Sequence, residues 1–157
     1  MLVQFRNSIL SLIWKLKGSS DREHDLLRSA LRKNPNWLKG HQLLAEACLV
    51  INDQKTAYAA CLCCLALATR QRDKARAYLL LGQCYTACGD ASNALDCFEK
   101  SEKLSHTNSE LHEHIAAAYL LQGDYGAATN QLKNLPENQL SAEAKAALQY
   151  AKSKIES

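Results

Sequence analysis

Residues 78–98 read Tyr-Leu-Leu-Leu-Gly-Gln-Cys-Tyr-Thr-Ala-Cys-Gly-Asp-Ala-Ser-Asn-Ala-Leu-Asp-Cys-Phe, and the same pattern returns 34 residues later. Tyr78 precedes Leu81-Gly82 by three residues, Tyr85 follows three after Gly82, and Gly89-Asp90 marks a turn before Ala94 and Phe98. Each residue type has a mechanical reason. Large aromatics fill the space between helices, while Gly82 and Ala94 let two backbones approach closely. Gly89 ends the first helix where a left-handed conformation is needed. In the second copy His112 stands for the first aromatic, Ile115-Ala116 for Leu-Gly, and Tyr119 keeps its place. Gly123-Asp124-Tyr125 repeats the turn, Ala128 matches Ala94, and Leu132 matches Phe98. A fixed period of this length belongs to helical arrays in which each unit buries its apolar face on the next.

These residues resemble the tetratricopeptide repeat (TPR), whose pattern is W-x2-L-G-x2-Y, then A-x3-F, then P, over 34 residues. The resemblance is clearest over 75–135. It implies an all-α fold, a short right-handed solenoid of antiparallel helix pairs with a C-terminal capping helix. It also frames about four units in 4–142. The strong ones are 75–108 and 109–142. Unit 38–71 carries His41, Leu44-Ala45, Cys48, Asn52-Asp53, Ala57, Cys61 and Cys64 at the signature places, with Arg72, Asp73 and Lys74 as extra residues before the next unit. Unit 4–37 is degenerate, with Gly18 at the turn and Pro35 at the closing proline. Ser20 or Asp21 caps its second helix, which runs through Leu26, Leu27, Ala30 and Leu31. The capping helix is placed at 143–157, with Ala144, Leu148, Ala151 and Ile155 at helical spacing.

Composition agrees with an all-helical chain. Among 157 residues there are two Pro and six Gly, too few for a loop-rich or β-rich fold. The net charge of +3 is spread unevenly, +5 over 1–40, zero over 41–108 and −2 over 109–157. Seven cysteines, an odd number, mostly stand where a helical repeat takes a small buried apolar residue. That favours a reducing compartment, hence a cytoplasmic or cytosolic-side location. No run of 18 apolar residues provides a membrane span.

Residues 1–17 place Leu2, Phe5, Ile9, Leu12, Ile13 and Leu16 on one helical face, widened by Leu10 and Trp14. Three readings stay open: the first helix of the first repeat, a segment docking on another subunit, or an in-plane anchor at a membrane surface. The last would set Arg6, Lys15 and Lys17 at the headgroups.

Clusters with chemical potential are few. Cys61, Cys63 and Cys64 sit mid-helix, with Cys63 turned away from the other two, which does not suit tetrahedral zinc. Cys84 and Cys88 lie four apart, with Cys97 on the paired helix. With Cys48, Cys61 and Cys64 they make a thiol-based metal or redox sensor an alternative function. His112 and His114 face opposite ways on a helix and cannot chelate together, unlike a metalloprotease pair four residues apart. Arg70, Arg72, Lys74 and Arg76 form a basic cluster at a helix end, read as a dipole-compatible surface rather than a nucleic-acid site. No catalytic motif is present, and no metal site or cofactor is assigned.

The TPR resemblance places the ligand groove on each repeat's first helix. Carried over, it implies Gln42, Glu46, Leu49 and Val50; then Arg76, Leu79, Gln83 and Thr86; then Glu110, Glu113, Ala117, Leu120 and Leu121. Leu79, Thr86 and Ala117 break the cationic clamp of chaperone-binding members. The expected partner is a protein, offering a helix or an extended apolar peptide, or a larger complex. The function read from the sequence is a non-enzymatic scaffold, adaptor or accessory subunit. The alternatives are a peripheral membrane subunit and the thiol sensor.

Overall fold

A computed structural model describes residues 20–105 and 109–156. Eight α-helices and no strand lie among the described residues. They are α1 (Ser20–Lys33), α2 (Leu38–Val50), α3 (Gln54–Leu67), α4 (Gln71–Ala87), α5 (Ala91–Leu104), α6 (Ser109–Gln122), α7 (Tyr125–Lys133) and α8 (Ala142–Ile155). The chain divides into two compact units after Ala68.

In the first unit, α2 and α3 form a helix pair with α1 packed on α2. Leu27, Ala30 and Leu31 of α1 are buried, as their helical spacing requires, together with Leu44, Ala45 and Cys48 of α2 and Ala57, Ala60, Cys61 and Cys64 of α3. Small residues dominate that interface, so the helices sit close. Trp37 lies across the start of α2, and a β-carbon on Gly40 would collide with its indole.

In the second unit, α4/α5 and α6/α7 are paired, and α8 packs on α7. Phe98 is fully buried and anchors one cluster with Leu79, Ala94, Leu111, Ile115 and Ala118. Gly82 is the seat of that ring: a β-carbon there would overlap the Phe98 edge. The hydroxyl of Ser101, also buried, donates to the Ala75 carbonyl at 2.9 Å and ties α5 to α4. A second cluster joins Ala116, Ala128, Leu132 and Ala144, with Leu120 and Leu148 partly buried against it. The tail helix thus closes the last pair with Ala144 buried and Leu148 partly buried beside it.

The turn within each pair uses one device three times. Asn52, Gly89 and Gly123 adopt positive φ, at 60°, 78° and 76°. The next residue, Asp53, Asp90 or Asp124, caps the following helix by accepting from the backbone N–H of Thr56, Asn93 or Ala127. The amides of those aspartates return to the carbonyls of Cys48, Tyr85 and Tyr119 at 2.8, 2.9 and 3.0 Å. Asparagine at 52 is the one non-glycine in the left-handed region among the described residues, and its short polar side chain is what tolerates it.

Two details differ from the sequence reading. Arg72, Asp73 and Lys74, the extra residues before unit 75–108, lie inside α4, which runs 17 residues against 14 for α6. The basic cluster therefore stands at the start of α4, where the helix dipole opposes cations rather than favouring them. Asp73, 3.6 Å from Arg70, partly offsets this.

Candidate partner-binding surface

The first helices α4 and α6 lie side by side in the second unit, held by polar side chains one repeat apart. Arg76 Nη1 donates to Glu110 Oε1 at 2.9 Å, and Gln83 Nε2 meets His114 Nε2 at 2.7 Å. The His114 ring also stacks on Phe98, centroids 6.1 Å apart and 17° between planes. Burial holds the His114 pKa below its ordinary value, against the pull of Glu110 and Glu113. The neutral imidazole is the form that fits this position.

Glu113 has a different task. Its two carboxylate oxygens accept from the backbone N–H and the hydroxyl of Ser141, both at 2.8 Å. Ser141 in turn caps α8 by accepting from the Ala144 N–H. The carboxylate therefore clamps the α8 N-terminus, where negative charge is favoured. Of the residues the TPR resemblance assigns to partner contact, Arg76, Gln83, Glu110 and Glu113 thus all bond within the unit.

Leu79 departs furthest from its expected role. It is 5% exposed and lies in the Phe98 cluster, so it is core and not groove lining. Thr86 donates its hydroxyl to the Gly82 carbonyl on its own helix. Ala117 and Leu120 are half-buried, and Leu121 is 51% exposed. One repeat before Leu121 stands Ala87, also exposed. The accessible apolar positions gather at the C-terminal ends of α4 and α6.

In the first unit, Gln42 is buried at 6% exposure and is likewise closed to a partner. Glu46 and Leu49 are half-buried, and Val50 is 78% exposed at the end of α2. The face of Leu2, Phe5, Ile9, Leu12, Ile13, Trp14 and Leu16 lies outside the described residues.

His112 and His114 do face different neighbours, since His112 Nδ1 pairs with Gln131 Oε1 of α7 at 2.8 Å. The cysteines form no disulfide, and only Cys63 and Cys88 are exposed. Burial pushes the Cys64 thiol up to about 12 and raises Cys97 as well. Such thiols are poor nucleophiles at neutral pH, which leaves Cys64 and Cys97 unsuited to thiol exchange in the folded protein. One convergent set escaped the sequence reading: His24, Cys48 and Asp53, brought together from α1, the end of α2 and the cap of α3. Nothing in their spacing signals it, because α1 meets the turn only through tertiary packing.

No helix among the described residues is long and apolar enough to cross a membrane. No family model matches the chain, and no curated protein matches it. Solved structures do. TTC0263, a thermophilic TPR protein of Thermus thermophilus, superposes with a TM-score of 0.79 at 22% identity, over 95% of this chain and 82% of that one. MamA superposes with a TM-score of 0.64 at 17% identity, over 90% and 92%. A second MamA structure gives 0.63 at 16%, over 90% and 82%. Helix pairing, Gly82 seating Phe98 and these superpositions agree that the chain has the tetratricopeptide-repeat fold, an all-α solenoid closed by a C-terminal helix.

Proposed function

We propose that the chain is a non-enzymatic protein-interaction scaffold, an adaptor or small accessory subunit. In residues 69–157 its recognition surface is the C-terminal end of α6 and the neighbouring end of α4. The observation that carries this is a division of labour along those two helices. Four of their polar side chains bond to each other, Arg76 with Glu110 and Gln83 with His114. About one turn beyond Gln83 and two beyond His114, Ala87 and Leu121 are exposed to solvent. A helix or extended peptide offering one or two apolar side chains fits such an edge, with burial providing the affinity.

The test is affinity purification of tagged protein from its native cells, comparing wild type with Leu121→Asp and with Ile155→Asp. Ile155 is 56% exposed on α8 and serves as an apolar control elsewhere. A stoichiometric partner lost only with Leu121→Asp supports the reading. Retention in both variants, with helicity unchanged by circular dichroism, moves recognition away from this edge.

A further inference from the structure

We propose that His24, Cys48 and Asp53 form a binding site for a divalent transition-metal ion, with Zn2+ the best match to the donor set. The three ligand atoms all lie within 4.8 Å of one another. In tetrahedral zinc, with bonds of about 2.0–2.3 Å, neighbouring ligand atoms stand roughly 3.4–3.7 Å apart. A closure of about 1 Å, within the reach of side-chain rotation, completes three corners of that geometry.

The histidine is the informative member. His24 is 9% exposed, and its Nε2 is buried with no hydrogen-bond partner. The nearest carboxylate oxygen, Asp53 Oδ2, is 3.8 Å away, too far for a hydrogen bond. Buried polar atoms are seldom left this way, and an unsatisfied one points to a missing ion or ligand. On the other side of the ring, Nδ1 is 3.5 Å from Asp25 Oδ1. A carboxylate there favours the proton on Nδ1 and leaves the Nε2 lone pair directed at the cluster, the arrangement that metal-binding histidines use.

Asp53 is divided between two duties. Its Oδ1 accepts from the Thr56 N–H at 3.1 Å and caps α3, the Thr56 hydroxyl also hydrogen-bonds to the carboxylate, and Oδ2 is the oxygen on the His24 side. Cys48 is fully buried at the end of α2. When the metal–sulfur bond forms, the Cys48 proton leaves to solvent, so binding releases one proton. Neutral imidazole, one carboxylate, one thiolate and M2+ then give a site of zero net charge, which a low-dielectric interior accepts far better than an isolated ion. Asp53 is partly exposed, giving water access to the fourth position. Thiolate with imidazole selects Zn2+ over Mg2+ or Ca2+, which prefer oxygen donors. The consequence is a clasp that fastens α1 to the turn between α2 and α3.

Co2+ is the probe, added to metal-free, reduced full-length protein. The expected result is one equivalent bound, with tetrahedral ligand-field bands in the visible and a thiolate-to-cobalt charge-transfer band in the near ultraviolet. Zn2+ should displace it and raise the thermal midpoint. His24→Gln and Cys48→Ser should each weaken binding by more than about a hundredfold, beyond what losing an outer-shell partner costs. Asp53→Asn keeps the capping oxygen, so it should fold normally and lose the Zn2+-dependent rise in midpoint. Cys63→Ser/Cys88→Ser, which removes the exposed thiols, should bind as wild type. Absence of the charge-transfer band overturns the proposal. So does its persistence in His24→Gln and Asp53→Asn, or its loss with the exposed thiols.

Discussion

Gly82 shows how a single missing methyl sets the spacing of two helices. Because a β-carbon there meets the Phe98 ring, Gly82→Ala must push the ring out of a fully buried seat. Overpacking of this kind costs about 1–3 kcal/mol, and alanine's better helix propensity returns up to about 1. Urea unfolding should show a net loss in midpoint with an unchanged slope. His114 makes a pH-dependent contribution. Its folded pKa is depressed by burial, so the fold favours the neutral ring. That stability is fully present above the unfolded value of about 6.5 and is lost as pH falls from there toward the folded pKa. Thermal midpoints across this window should fall less in His114→Gln than in wild type. Thiol chemistry gives a third check at this scale. Alkylation of native protein should label Cys63 and Cys88 and spare the five buried cysteines until the chain unfolds.

Glu113 is the residue whose meaning changes most between sequence and structure. Its repeat position suggests partner contact, yet its carboxylate holds Ser141 and so positions the whole of α8. Sequence could not reveal this, because the bond joins residues 28 apart, with the whole of α7 between them. Glu113→Ala removes two charge-assisted hydrogen bonds, worth about 3–6 kcal/mol together. Amide exchange should then accelerate in Ala142–Ile155 with little change in Gln71–Ala87. What was legible came from residues whose environment is local. Gly89 and Gly123 announce positive φ, the aspartates announce caps, and Ala144 and Ala151 announce the buried stripe of α8. What was hidden depended on neighbours far along the chain. Leu79 reads as an exposed groove position by repeat register, but the side chains of Leu111 and Ile115 cover it. The extra residues Arg72, Asp73 and Lys74 fall outside the repeat frame in the sequence, and in the structure they add nearly one turn to the start of α4.

Across the second unit, packing is uneven. α4 and α5 share Leu79, Leu80, Leu81 and Phe98 as buried bulk, whereas α8 buries only Ala144 and Ala151. In a linear array, stability follows such nearest-neighbour interfaces. Native-state hydrogen exchange should therefore find its slowest amides at Leu80, Leu81 and Phe98, and its fastest helical amides beyond Tyr150. A uniform rate over all five helices would mean that the unit opens only as a whole. The three turns carry a last consequence, for the length of the chain itself. Each closes with its own left-handed residue, its own aspartate cap and a bond to the residue five before. Removing residues 90–123 would join Gly89 to Asp124 and rebuild the same junction. The spliced product would fail or succeed elsewhere, where Gly82, shaped for a phenylalanine, would face Leu132. Copy number in this chain is thus guarded by the shapes of the helix faces, while the turns are interchangeable joints.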